Sequence, residues 1–360
     1  MRVPTRGAVL AGAAAAVTLA LPSIAQGATK DVHMGLPSTT QKTFQSRYRA
    51  TVNDFFPHAV DIHVGDTVRF VPRGFHTVDL PAGPQRPLPL IVATEQAIAG
   101  ARDEAGQPFW FEGRPQVGVN FLLSRSSFGR TRAYDATHRV QSGLPPRDRP
   151  RPMRVRFTRT GSFTYFCDVH PGMRGRVRVH GRRRSIPDAR ADARTVRRQI
   201  ARDRRIARSL RRTRVRPGAV DVGLAGRHGV EHLGFLPRTL SLPVGGTLRF
   251  EMTPRSFETH TATTGPGDPA QGSGSYLGAL SASFRAPVLD ARAAYPSEPP
   301  GSLSNLTPTL HGNGFWNSGI MDVVAASPAP SSNVVSFRAA GTYEFFCLIH
   351  PFMHATVVVR

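Results

Sequence analysis

From Tyr48 onward the chain sets apolar side chains at every second position, with Phe56, Val60, Ile62 and Val64 leading into a turn at Gly65-Asp66 and Val68 and Phe70 following it. A spacing of two is the signature of half-buried strands. The rhythm returns in the second half as Leu236, Leu240, Leu242 and Val244, a turn at Gly245-Gly246, then Leu248 and Phe250. Phe55 and Phe235, Pro57 and Pro237, Gly65 and Gly245, Thr67 and Thr247, and Phe70 and Phe250 all match at one offset of 180 residues. Matching resumes at Val155 and Val335, Phe157 and Phe337, and Gly161 and Gly341, and continues at Val177 and Val357 and at Val179 and Val359. The pattern predicts an internal duplication of one strand-rich unit.

Other stretches break the rhythm. Residues 29–45 are polar and irregular and predict a flexible lead. Residues 80–150 and 264–330 do not align between the halves; they carry Pro-rich turns and both tryptophans, Trp110 and Trp316. Residues 182–216 hold 15 Arg and 3 Asp, with Ser185 and Asp188 at capping-box spacing and Val196, Ile200, Ala207 and Leu210 in a thin helical stripe that stops at Pro217-Gly218. That segment predicts an Arg-rich linker helix, either a solvated spacer or resting on one neighbouring unit. The expected organisation is a signal peptide over 1–28, the lead over 29–45, a first unit over 46–181, the linker over 182–216 and a second unit over 217–360.

Composition supports short strands over long helices: 31 Pro and 34 Gly among 360 residues. The formal charge of +23, almost all from arginine, would ordinarily suggest nucleic acid as a partner. The N-terminus changes that reading. Arg2 and Arg6 precede an apolar, Ala-rich run over residues 8–25, and the small residues Ser23, Ala25, Gly27 and Ala28 suit signal peptidase. An exported chain meets anionic envelope polymers or lipid head groups before it meets nucleic acid, so no nucleic-acid partner is expected.

Candidate chemistry concentrates in one loop that occurs twice. Cys167, His170 and Met173 follow the aromatic run Phe163 to Phe166, and Cys347, His350 and Met353 follow Tyr343 to Phe346. These two cysteines are the only ones in the chain, which favours ligand chemistry over a staple. A thiolate with two imidazoles in a plane and a distant thioether is a donor set suited to copper cycling between Cu(I) and Cu(II), whereas zinc sites seldom use thioether. Each loop supplies one imidazole, so a second must come from elsewhere. His76 lies six residues after Phe70 and His260 ten after Phe250, a local insertion of four residues in the second copy.

The C-x-x-H-x-x-M spacing with an upstream histidine resembles the cupredoxins, the blue-copper family that includes plastocyanin, azurin and amicyanin, and its short loop is most similar to the amicyanin type. The resemblance covers about residues 46–79, 152–181, 226–263 and 332–360 and fails between them. It implies an all-β fold of two Greek-key β-sandwiches. It implies two copper ions per chain, one on His76, Cys167, His170 and axial Met173, the other on His260, Cys347, His350 and axial Met353. In the family the loop histidine reaches the surface, so His170 and His350 are expected as separate exchange edges, the second made more apolar by Phe352 than the first is by Gly172.

The implied function is an exported electron carrier, not an enzyme, serving redox partner proteins at the cell envelope, with the Arg-rich linker free to meet an anionic envelope surface. Multicopper oxidases and copper nitrite reductases need further histidines, commonly beside the cysteine and in His-x-His pairs. Here Phe166, Asp168, Phe346 and Leu348 flank the cysteines, and no His-x-His occurs. Copper storage or delivery at the envelope is the other alternative, with His58, His63, His138, His180 or His354 as auxiliary ligands, but no Met-rich or His-rich tract accompanies them.

Overall fold

The computed structural model describes residues 27–83, 86–146, 150–324 and 327–360. The expected signal peptide therefore lies outside the described residues up to position 26. Gly27 and Ala28, assigned to it by sequence, are held by the fold: the Ala28 N–H donates to Asp66 at 2.8 Å, and Thr67 N–H donates to the Ala28 carbonyl at 2.9 Å. No helix among the described residues is long and apolar enough to cross a membrane.

The first sandwich stacks two five-stranded sheets. One runs in the order Phe55–Phe56, Thr29–Met34, Thr67–Pro72, Met153–Phe157 and Thr131–Tyr134; the other in the order Val140–Gln141, Asp79–Leu80, Gly161–Phe166, Arg174–His180 and Ala59–His63. Strict alternation along Met153–Phe157 and Arg174–His180 sends Met153, Val155, Phe157, Val177 and Val179 inward and arginines outward. The expected flexible lead is not one. Thr29–Met34 pairs in parallel with Thr67–Pro72 over six residues, burying Val32 and Met34, and Ser38–Tyr48 is a helix that buries Phe44 and Tyr48 one turn apart. Two buried positions in each were too few to register as a period.

The second sandwich repeats the pairing pattern. Gly341–Phe346 pairs antiparallel with His354–Val359, which pairs in parallel with Thr239–Leu242, as Gly161–Phe166, Arg174–His180 and Ala59–His63 do in the first. Its other sheet has six strands, ordered Ser304–Leu306, Ser332–Phe337, Thr247–Glu251, Ala219–Ala225, Val230–Leu236 and Ala50–Val52. The last of these comes from the first half of the chain. A unit beginning at 46 therefore splits the helix Ser38–Tyr48, leaves out the first-sandwich strand Thr29–Met34, and takes in Ala50–Val52, whose Val52, Thr51 and Ala50 pair with Val230, Glu231 and His232 of the second sandwich.

Two further contacts fix the halves together. The helix Ala189–Leu210 is neither a solvated spacer nor a layer on one sandwich. Its Ala207 and Leu210 share a core with Phe44 and Phe56 from the first half and Leu224 and Val230 from the second, while Gln199 accepts from the His58 N–H and donates to the Phe55 carbonyl. The two unaligned segments clasp each other: Phe109 and Phe111 pack with Leu277, Phe315 and Leu348, Trp110 Nε1 donates to the Pro296 carbonyl, and His311 lies between Asp103 and Glu298. A cavity of about 2490 Å³ remains between the halves, lined by both ligand loops.

Candidate metal centres

Each centre forms where a hairpin turn meets the loop after a central strand. Cys167 N–H donates to the Met173 carbonyl at 3.0 Å and Met173 N–H to the His170 carbonyl at 2.9 Å; the second loop repeats this with Cys347, Met353 and His350 at 3.2 and 2.8 Å. These bonds curl seven residues into a turn that directs the cysteine, histidine and methionine to one side. The upstream loops deliver His76 and His260, and the following residue in each, Thr77 or Thr261, donates its backbone N–H to the cysteine sulfur at 3.4 Å.

The result is two triangles of donors. In the first, His76 Nδ1 and His170 Nδ1 are 3.0 Å apart, and Cys167 Sγ lies 3.5 Å from His170 Nδ1 and 4.0 Å from His76 Nδ1. In the second, the Nδ1 atoms of His260 and His350 are 3.2 Å apart, with Cys347 Sγ at 3.7 and 3.8 Å. An ion with bonds of about 2.0–2.3 Å to nitrogen and sulfur, centred in such a triangle, needs edges of roughly 3.5–3.8 Å, which these edges bracket. Met173 and Met353 are buried in the same clusters as their cysteines. Among the described residues, these are the two places where three or more His, Cys, Asp or Glu donors converge. The auxiliary histidines are elsewhere: His58 meets Asp54, His63 the Arg184 carbonyl, His138 Thr137 and Asp135, His180 Asp61, and His354 Arg238.

The electrostatics hold the two thiols toward the thiolate form and the loop imidazoles toward the protonated form, so a metal entering either triangle displaces a proton from the loop histidine. Burial opposes ionisation of Cys167, yet hydrogen bonds and charge from His170 and His76 outweigh it and hold the thiol well below its ordinary range; His260 and His350 do the same for Cys347. Burial lowers His76. Burial also acts against protonation of His170, but the Glu258 carboxylate and the Cys167 thiolate override it and push the imidazole up to about 10; His350 is raised in the same sense by Cys347 and Glu258.

Several residues that complete the centres carry no motif. Glu258 is buried between them, with its Oε2 3.5 Å from His170 Nε2 and 3.6 Å from His350 Nε2. Asn53 donates to its Oε1 at 2.8 Å. Gly35 and Gly223 flank the upstream imidazoles: a Cβ would stand 2.9 Å from His76 Nε2 at the first and 2.4 Å from His260 Nε2 at the second. The expectation of two separate surface ports is corrected by the same geometry. His170 is buried, and the space beside Gly172 is filled by the ring of Phe257, which a Cβ there would meet at 2.4 Å.

Glu231, fully buried beneath this region, accepts from Ser256 Oγ at 2.8 Å and from the Phe257 N–H. Burial, then the charge of Glu258, pushes its carboxyl up to about 8 from an ordinary 4.5. An unfolded chain releases this proton near 4.5, whereas the folded chain keeps it to about 8, so stability is full below the lower value and falls as pH rises between them. The slope is about 1.4 kcal/mol per pH unit. Urea unfolding across that window should show Glu231→Gln gaining on the wild type as pH rises; parallel pH profiles would contradict a buried, protonated Glu231.

Each half of the chain thus folds as a β-sandwich that closes a triangle of two imidazoles and one thiol with a C-x-x-H-x-x-M loop, the all-β, cupredoxin-like fold expected from the sequence, in tandem. No family model matches the sequence, and no curated protein matches it. Solved structures do. A proline variant of amicyanin in its reduced Cu(I) form at pH 4 is 16% identical over 42% of this chain and 89% of its own, with a TM-score of 0.21. Auracyanin A, a "blue" copper protein from the green thermophilic photosynthetic bacterium Chloroflexus aurantiacus, is 18% identical over 39% of this chain and 96% of its own, with a TM-score of 0.24. Amicyanin from Paracoccus versutus is 16% identical over 41% of this chain and 85% of its own, with a TM-score of 0.21.

Proposed function

We propose that the protein is an exported electron carrier that holds one copper ion in each triangle, with His76, Cys167, His170 and axial Met173 as one ligand set and His260, Cys347, His350 and axial Met353 as the other. The observation that carries this reading is the pair of matched triangles of two Nδ1 atoms and one thiolate, each beside a buried methionine. Copper bound there supplies a one-electron Cu(I)/Cu(II) couple. The chain's own part is to keep the donors at fixed spacing through the curled loop and the Thr77 and Thr261 N–H groups, to exclude water by burial, and to keep both thiols ionised.

Its partners are redox proteins of the cell envelope. The linker helix buries one face and leaves Arg194, Arg197, Arg198, Arg204, Arg205 and Arg208 exposed, a strip suited to an anionic envelope surface. The test is copper analysis and a visible spectrum of the mature chain loaded with Cu(II) and titrated with reductant. Two ions per chain and an intense thiolate-to-copper band that bleaches reversibly support the carrier. Tight Cu(I) binding without a reversible coloured form would replace it with copper storage or delivery.

A further inference from the structure

The four residues by which the second upstream loop exceeds the first lie between Phe250 and His260, the stretch that carries Ser256, Phe257 and Glu258. That insertion does not spread over its own sandwich; it reaches the loop of the other centre. Phe257 packs on the backbone of Gly172, two residues past His170. Glu258 places one carboxylate oxygen 3.5 Å from His170 Nε2 and 3.6 Å from His350 Nε2, so the two Nε2 atoms are no farther apart than the sum of those distances.

The position is built. The other Glu258 oxygen accepts from Asn53 at 2.8 Å, its N–H donates to Ser256 Oγ at 3.1 Å, and Ser256 and Phe257 are both tied to the buried Glu231. Asn53 follows the strand Ala50–Val52 that the first half lends to the second sandwich, so the strand exchange itself sets the anchor. The Nδ1 atoms of His170 and His350 belong to the donor triangles, and the opposite edge of each ring is turned to the same carboxylate.

We propose that this insertion makes the two centres a face-to-face pair that exchange electrons inside the protein, with Glu258 the positioning residue that holds the outer edges of His170 and His350 toward each other. The proposal rests on the copper reading above and adds the route. One electron leaves one centre as the other gains it; no bond is made or broken, no proton is transferred, and no further reactant is needed. The contrast between Gly172 and Phe352 then reflects packing: the first is bare because Phe257 occupies its side, while Phe352, without such a neighbour, stands 62% exposed.

The experiment uses the full mature chain with Glu258→Ala and the volume-conserving Glu258→Gln, each checked for folding by circular dichroism. In the metal-free chain, nitrogen-edited NMR should show solvent-protected Nε2–H protons for His170 and His350, both lost in Glu258→Ala. In the copper-loaded chain, injection of less than one electron per protein should be followed by a redistribution between the centres whose rate is independent of protein concentration. That phase should be lost in both variants while each still binds two ions. A redistribution phase unchanged in either folded variant, or imidazole protons unchanged in Glu258→Ala, would overturn the proposal. Failure of the copper reading would show separately, as a wild-type chain without a thiolate-to-copper band, and the metal-free NMR result would still decide the role of Glu258.

Discussion

Under the proposed two-copper reading, replacing Cys347 with serine is expected to lower copper binding from two ions per chain to one, and to remove one of two thiolate-to-copper bands while the other survives. Cys347 is fully buried, its sulfur receives the Thr261 N–H, and His260 and His350 hold it ionised. A serine hydroxyl is a harder donor that stays protonated, and it cannot replace a soft thiolate in a site for copper. The first centre draws none of its donors from the Cys347 loop, so its band should persist. Cys167→Ser should give the mirror result. Metal analysis with visible spectroscopy reads both, and survival of both bands in either variant would contradict the ligand assignment.

Gly223→Ala should damage the second centre without touching any ligand. The residue sits at φ +72° beside a bulge between Val222 and Leu224, where a Cβ costs about 1–2 kcal/mol in backbone strain alone. That Cβ would also stand 2.4 Å from His260 Nε2, well inside contact, and His260 is fully buried with no room to swing outward. Either the ring tilts and Nδ1 leaves the triangle, or the strand shifts. Expected results are a loss of about 1–3 kcal/mol in stability from the strained position and loss of the second copper under conditions that fill the first. A variant that binds two ions with an unaltered spectrum would show that the glycine does not set the position of His260.

The convergence of His76, Cys167 and His170, and of His260, Cys347 and His350, was legible because its chemistry is local. Cys, His and Met at fixed spacing on one turn, repeated once, need no tertiary information, and a histidine after the matching strand supplies the remaining donor. The sandwiches were legible for the same reason: their inner strands alternate, and Val68 and Phe70 or Leu248 and Phe250 mark the buried face. What stayed hidden depends on contacts between distant segments. Thr29–Met34 offers only Val32 and Met34 as a buried pair, and its strand identity comes from pairing with Thr67–Pro72. The unaligned segments gave no pattern to read because their apolar residues, such as Phe109, Phe111 and Phe315, serve each other across the chain. The thin stripe of the linker could not show that it packs against both units at once, because its partners are split between Phe44 and Phe56 of the first half and Leu224 and Val230 of the second.

Glu258 marks the same boundary. The insertion that carries it could be counted from the spacing of His76 and His260, yet an acidic residue in a loop is ordinarily solvated. Only the closing of one sandwich onto the other takes it out of water and sets it between His170 and His350. Once there it is compensated, since the charges of His170, His350 and His260 outweigh the burial that would raise it and hold its carboxyl well below the usual range.

Electron paramagnetic resonance of the mature chain loaded with Cu(II) tests most directly whether two copper centres face each other. The proposed pair predicts two thiolate-bound Cu(II) signals per chain, each broadened or split by magnetic coupling to the other, with the coupling abolished when Cys347→Ser removes one partner. One signal per chain, or two signals that show no coupling and are indifferent to loss of the other site, would contradict a paired arrangement across Glu258.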